Sequence, residues 1–276
     1  MHPVFEAIAT DPASSLVALD FDGTLAPIVN DPAQSRAVPG AIETLAVLAR
    51  HGVQVSIVTG RDAVTVVSLG QLERIPGVRV SGLHGAQTWR DGKLVTRAEP
   101  SGIAELRQSL PTLIESADPA VWLEDKGLSL VVHTRLAENP QAALNALTEP
   151  VTELAATHGL DVVGGKMVLE IRIPGLSKAD ALEELLGLDI AAAVFGGDDY
   201  GDLPAFKVIR DWRTAPRDTS DQARSARSGL TIAVGDVAEV RQAADLHVDT
   251  PEDLADLLAE LADRLAGGQS SDTARI

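Results

Sequence analysis

Leu16-Val17-Ala18-Leu19 is an apolar run that ends in Asp20-Phe21-Asp22-Gly23-Thr24-Leu25. A short aliphatic run of this kind fills a strand buried on both faces of a parallel sheet. Two carboxylates at its end restrict what can surround it. Burying one unpaired carboxylate costs roughly several kcal/mol, so two held close together need a cation, a proton or strong hydrogen-bond donors. A plain polar turn after the strand is the other reading of these residues. The rest of the chain decides between them.

With 276 residues, 45% hydrophobic and 23% charged, the sequence has the composition of a globular protein large enough for one big domain or two modest ones. A formal charge of −17 with no compensating Lys/Arg cluster makes nucleic acid and anionic membranes poor partners. No cysteine is present, which excludes disulfides, thiolate metal sites and a cysteine nucleophile. The first ten residues lack a basic segment followed by an uninterrupted apolar one, and no run is long enough to span a bilayer. A cytoplasmic monomer acting on a small molecule is expected.

Along the chain, Ala26 to Val38 reads as a structured loop, and a helix follows from Pro39 with Ile42, Leu45, Leu48 and Ala49 as its apolar stripe. Val53 to Val58 is a second aliphatic strand, ending in Thr59-Gly60-Arg61. Strand, helix and strand in succession predict a βαβ unit with parallel strands, so both polar clusters fall at C-terminal strand ends, where open α/β sheets bind ligands. A helix over Asp62 to Leu72 and a strand over Val78 to Ser81 lead into Gly82-Leu83-His84-Gly85.

From about Glu99 the pattern becomes helix, hairpin, helix, hairpin. The helices are Ser101 to Ala117 and a second from Pro140 with Leu144, Leu147, Val151 and Leu154 on one side. The strands are Val121 to Glu124, Leu128 to Thr134, Leu160 to Val163 and Lys166 to Arg172, the last two joined at Gly164-Gly165. This is an α+β module inserted into an α/β one, giving segments 1–98 and 175–276 for the core and 99–174 for the insertion. After Pro174-Gly175, Ser177 and Asp180 open a helix. Ala191 to Phe195 is a strand running into Gly196-Gly197-Asp198-Asp199-Tyr200-Gly201-Asp202. Further strands are read at Leu230 to Val234 and Leu246 to Val248, with a final helix from Pro251 and a disordered tail from Gly267.

If the strands ending at Asp20/Asp22, Thr59 and Asp198/Asp199 adjoin, four or five carboxylates converge, and their repulsion calls for a hard divalent cation with oxygen ligands. Magnesium fits that set and binds phosphate oxygens as well, so a phosphate substrate follows. Lys178 stands in the first turn of its helix, where a cation opposes the helix dipole. Aimed into the site it would be well placed; on a tolerant helix end it would be an ordinary exposed lysine.

The ordered set Asp20-Phe21-Asp22-Gly23-Thr24-Leu25, Thr59, Lys178 and Gly197-Asp198-Asp199-Tyr200-Gly201-Asp202 resembles the four motifs of the haloacid dehalogenase superfamily of phosphatases. The resemblance implies a Rossmann-like core with an inserted α+β cap of the C2B type. It implies Asp20 as a nucleophile forming an aspartyl-phosphate, Asp22 as general acid and base, and Thr59 and Lys178 as phosphoryl-binding groups. Magnesium would sit on Asp20, the Asp22 carbonyl and Asp198, with Asp199 or Asp202 in support.

Period-two alternation puts Ser129, Val131, His133 and Arg135 on one face of their strand, and Lys166, Glu170 and Arg172 on one face of theirs. A face so rich in hydrogen-bonding groups suits a polyhydroxylated ligand, though it is also what a solvated sheet face looks like. Asp31-Pro32, Gly82-Leu83-His84-Gly85, Glu124-Asp125-Lys126, His133-Thr134-Arg135 and Leu169-Glu170-Ile171-Arg172 narrow the likeness to trehalose-6-phosphate phosphatases. That resemblance implies hydrolysis of trehalose 6-phosphate under a mobile cap that closes to exclude water. It implies Glu124, Lys126, Arg135 and Glu170 as sugar contacts with His84 and His133 behind them, and Gly60 and Arg61 as further substrate-binding residues. The alternatives are another sugar phosphatase of the same cap type, acting on sucrose or mannosyl phosphate, or a silent sugar-binding regulatory module. Two departures stand out. Ala179 replaces the usual glycine after the lysine, and Tyr200-Gly201-Asp202-Leu203-Pro204 replaces the usual acidic, threonine-containing run.

Overall fold

The computed structural model describes residues 2–187, 189–215 and 227–272. The chain divides into two compact units, Met1–Thr96 with Ser177–Ile276, and Arg97–Leu176.

The first unit begins with α1 (Pro3–Thr10) and continues through β1 (Ser15–Leu19), α2 (Ala41–Arg50), β2 (Gln54–Val58), α3 (Ala63–Gly70), β3 (Arg79–Gly82), β4 (Gln87–Arg90) and β5 (Lys93–Thr96). The second unit holds α4 (Ser101–Glu115), β6 (Trp122–Asp125), β7 (Ser129–His133), α5 (Pro140–Thr157), β8 (Asp161–Gly165) and β9 (Val168–Arg172). The first then resumes with α6 (Lys178–Leu186), β10 (Ala192–Gly197), α7 (Leu203–Thr214), β11 (Ser228–Val234), α8 (Ala238–Ala243), β12 (Leu246–Val248) and α9 (Pro251–Asp272).

Among the described residues the large sheet has eight strands in the order β12-β11-β10-β1-β2-β3-β4-β5. Pairing is parallel from β12 to β3 and antiparallel through β4 and β5. This is an α/β, Rossmann-like sheet. β1 is central and buried along its whole length because it feeds two cores. Val17 and Leu19 pack with Phe5, Leu45, Ile57 and Leu258 on one face, while Leu16 and Ala18 pack with Leu182, Phe195, Phe206 and Ile209 on the other. The uninterrupted aliphatic run is therefore two period-two sets interleaved, each facing its own layer of helices. In register, Leu19 lies beside Gly196 of β10 and Ile57 of β2. The next residues of all three strands thus emerge at one edge.

The second unit is α+β. Its sheet, ordered β6-β7-β9-β8 and antiparallel throughout, packs Leu130, Val132, Leu169 and Ile171 against Ile103, Leu106 and Leu110 of α4 and Leu147 and Val151 of α5.

Three details differ from the sequence reading. The buried line of α5 is Ala143, Leu147, Val151 and Ala155, and Leu144 and Leu154 flank it, partly covered but packed against the same core. The hairpin between β8 and β9 turns at Lys166-Met167, with Gly165 paired to Val168 and Met167 at φ 59°, so Lys166 belongs to the turn and not to the strand face. The last helix runs through Gly267 to Asp272, and 273–276 lie outside the described residues. No helix among the described residues is long and apolar enough to cross a membrane.

Candidate active site

The C-terminal end of β1 delivers Asp20, whose N–H still donates to Gly196 O at 2.9 Å and so continues the ladder by one residue. A tight turn follows, closed by Gly23 N–H to Ala26 O at 2.7 Å. Gly23 takes φ +77°, and a Cβ there would fall 2.0 Å from Asp198 Oδ2. Glycine is required on both grounds. The neighbouring Thr24, fully buried, donates to Asp198 Oδ1 at 3.4 Å.

At the end of β10 the chain turns through Asp199 to Asp202. Asp202 Oδ2 accepts from the N–H groups of Asp198 and Asp199 at 3.0 and 3.2 Å, and Asp199 Oδ1 accepts from Gly201 N–H at 2.8 Å. These two side chains cap each other's end of the turn. Gly197 makes room, since a Cβ there would lie 2.3 Å from the Asp202 carboxyl carbon.

Carboxylate oxygens of Asp20, Asp198 and Asp202 all lie within 4.8 Å of one another. Lys178, the first residue of α6, enters the same cluster: its Nζ is 3.0 Å from Asp20 Oδ1 and 2.8 Å from Asp202 Oδ1, and its side chain is only 7% exposed. Burial, set against the attraction of Lys178 and reinforced by the repulsion of Asp198, pushes the Asp20 carboxyl up to about 7. Burial also leads for Asp198 and Asp202, with repulsion from their acidic neighbours, and each is pushed up to about 7. For Lys178, burial opposes the charge, but the surrounding carboxylates of Asp20, Asp202 and Asp199 outweigh it and hold the amine above its ordinary range. Three buried acids against one ammonium leave excess negative charge, a donor set that suits a divalent cation with oxygen ligands.

Of the residues expected to support a metal, Asp20 and Asp198 thus contribute carboxylates to this cluster, and Asp202 is the third. One Asp199 oxygen accepts within the turn, and its charge still bears on Lys178 and Asp198. The Asp22 carboxylate, whose expected contribution was its backbone carbonyl, is gripped in two-pronged fashion by Arg61 Nε and Nη2 and also accepts from Ser35 Oγ at 3.0 Å. Arg61 Nη1 donates to Pro32 O at 2.8 Å, which ties the loop after β1 to the end of β2.

Thr59, buried at that end, accepts from Arg61 N–H at 3.1 Å. Leu83 and His84 adopt consecutive left-handed conformations, φ 46° and 56°, uncommon for side-chain-bearing residues. Two bonds hold them there: Leu83 N–H to Arg61 O at 2.8 Å and His84 N–H to Thr59 O at 3.0 Å. The His84 ring lies against Gly60, where a Cβ would be 3.0 Å from Cε1.

In the second unit, Glu124, His133 and Arg135 form a chain, with His133 Nε2 2.8 Å from Glu124 Oε2 and Nδ1 3.0 Å from Arg135 Nη2. Glu170 accepts from Ser129 Oγ at 3.1 Å, and Lys126 is exposed in the turn after β6. Trp122, absent from the sequence-derived candidates, stacks on His133. Its role depends on cross-strand register, and no local motif marks it.

The trehalose-phosphatase family profile matches residues 18–237. A trehalose-phosphate phosphatase of Mycobacterium leprae (strain TN) is 33% identical over 211 residues, covering 70% of this chain and 47% of the relative. The chain therefore spans about half the length of that curated relative. A probable trehalose-phosphate phosphatase of Sinorhizobium fredii (strain NBRC 101917 / NGR234) is 29% identical over 261 residues, 93% of this chain and 91% of the relative. Among solved structures, the C-terminal domain of a Candida albicans trehalose-6-phosphate phosphatase has the same fold, with TM-score 0.71 and 22% identity over 95% of this chain and 96% of that one. A haloacid dehalogenase-like hydrolase from Bacteroides thetaiotaomicron matches at TM-score 0.64 and 16% identity over 91% and 99% of the two chains. Together with the acid cluster at the end of β1, the profile match places the sequence: the chain belongs to the trehalose-phosphatase family.

Proposed function

We propose that the protein is a magnesium-dependent phosphatase that hydrolyses trehalose 6-phosphate to trehalose and phosphate. The observation that carries this reading is the buried Asp20, Asp198 and Asp202 cluster with Lys178 inside it. Asp20, Asp198 and the Asp22 carbonyl would hold the cation, whose chemistry is to neutralise phosphoryl oxygens.

Asp20 attacks phosphorus, the phosphorus–oxygen bond to the sugar breaks, and the departing oxygen takes a proton from Asp22. Asp22 then takes a proton from water as that water displaces Asp20 from phosphorus, which returns both carboxylates to their starting state. Lys178 and Thr59 hold equatorial phosphoryl oxygens, the positioning and charge neutralisation on which phosphoryl transfer depends. Because Arg61 grips Asp22, this acid–base role requires that the pair open when substrate enters. In this reading Glu124, Arg135 and Glu170, with Lys126 in the turn after β6, are the residues that would contact the sugar.

Phosphate release from a panel of sugar phosphates, with magnesium and with a chelator, tests the reading. Brisk, metal-dependent turnover of trehalose 6-phosphate is expected. Turnover of sucrose or mannosyl phosphate without it would sink the substrate assignment.

A further inference from the structure

We infer that Trp122 is a positioning residue that determines sugar specificity, by holding His133 as a flat spacer between Glu124 and Arg135. The inference rests on the proposed sugar phosphatase activity and deepens it.

Trp122 faces away from the hydrophobic core of its own unit. Its neighbour Leu123 packs against that core, and alternation puts Trp122 on the opposite face, directly across from His133 in the β6/β7 register. The indole and imidazole are stacked, with centroids 4.5 Å apart and planes within 4°. The Arg135 guanidinium carbon lies 5.5 Å from the indole centroid, over the same ring. One indole thus organises both an imidazole and a cation.

Hydrogen-bond chemistry then fixes the imidazole's role. Arg135 can only donate, so His133 Nδ1, 3.0 Å from Arg135 Nη2, must accept. The proton therefore sits on Nε2, which donates to Glu124 Oε2 at 2.8 Å. Both ring nitrogens are engaged and the side chain is only 8% exposed, so His133 is a wedge and not itself a sugar ligand. Without it, a glutamate and an arginine on one face would close into a direct ion pair and satisfy each other. With it, they stand apart by the width of a ring, Glu124 keeps 45% of its side chain exposed, and Arg135 is exposed as well. An acceptor and a donor at fixed separation match a pair of sugar hydroxyls, each of which both donates and accepts.

The test is the ratio of kcat/KM on trehalose 6-phosphate to kcat/KM on p-nitrophenyl phosphate, a phosphate ester with no sugar. Trp122→Ala is expected to lower this ratio about fivefold or more, through KM for the sugar phosphate. Trp122→Leu, which keeps apolar bulk without a π face, is expected to fall with it, and it stands in for the alanine variant if that variant does not fold. Trp122→Phe, which keeps a stacking face, is expected to stay within about twofold of the native ratio. Side-chain nitrogen NMR of His133 should show the single Nε2–H form in the native protein and tautomer averaging in the leucine variant. An unchanged ratio in the leucine variant, or an equal fall in the phenylalanine variant, overturns the inference. If the native protein releases no phosphate from trehalose 6-phosphate, the substrate reading fails separately, and the same ratio taken with the sugar phosphate it does hydrolyse still tests Trp122.

Discussion

Lys178 Nζ lies 3.0 Å from Asp20 Oδ1, and the two side chains are 7% and 6% exposed. A lysine in the first turn of a helix opposes the helix dipole by about 0.3–1 kcal/mol. Here the acids at the ends of β1 and β10 offset that opposition. Removing one partner of a buried pair leaves the other charge uncompensated, so Lys178→Ala is expected to destabilise the protein by about 3 kcal/mol near pH 8. It should also lower kcat by roughly a hundredfold or more. The stability loss should shrink at pH 5, because burial pushes Asp20 and Asp202 up to about 7 and both carboxyls then take up protons in the native protein. Urea unfolding of both proteins at the two pH values, with phosphate-release kinetics, checks this.

Magnesium binding should follow the same groups. Carboxyls raised to about 7 must lose protons to bind a cation, so affinity should rise as pH increases toward 7 and level off above it. Calorimetric titrations in two buffers of different ionisation enthalpy should show proton release at pH 6 and little at pH 8.5. Equal affinity at both values would contradict a role for these acids in holding the metal.

Gly23→Ala tests the closeness of the turn to Asp198. The substitution demands a Cβ 2.0 Å from Asp198 Oδ2 in a backbone conformation of φ +77°. Displacing Asp198 should weaken magnesium binding, and the strain should cost about 1–3 kcal/mol of stability. Thermal unfolding with and without magnesium reads both effects.

Away from the site, Asp245 accepts from Arg213 at 2.7 and 3.0 Å, and from Thr231 N–H and Oγ1 at 2.9 Å each. Burial alone would raise its carboxyl, but the Arg213 and Thr231 hydrogen bonds outweigh it and hold the group below the usual carboxylate range. A lowered carboxyl stabilises the native state above its unfolded pKa, and that contribution is lost as pH falls through the folded one. Asp245→Asn should therefore be less stable than the native protein by about 1–3 kcal/mol at pH 7. The gap should close in acid, which denaturant unfolding at pH 7 and pH 3 measures.

The strand-end clusters and the inserted module were legible because they depend on local pattern: an aliphatic run, a helix stripe, a polar residue where a strand must stop. Lys178 was legible as a cation in the wrong place for its helix. What escaped was set by pairing across long sequence distances. The sequence leaves open which of Asp199 and Asp202 joins Asp20 and Asp198, because that depends on how one short turn folds back on the end of β10: Asp202 lies in the acid cluster, and one Asp199 oxygen accepts from Gly201 N–H. The grip of Arg61 on Asp22 spans 39 residues and needs β1 and β2 side by side. Trp122 and His133 meet only through the β6/β7 register, and a one-residue change of register would put them on opposite faces.

The most direct measurement is turnover of trehalose 6-phosphate in magnesium by the native protein and by Asp20→Asn, with mass spectrometry for phosphate carried on residue 20. Native turnover, a transient phosphate on Asp20, and a fall to background in the variant are predicted. Undiminished turnover by Asp20→Asn, or phosphate carried on another residue, would contradict Asp20 as the nucleophile.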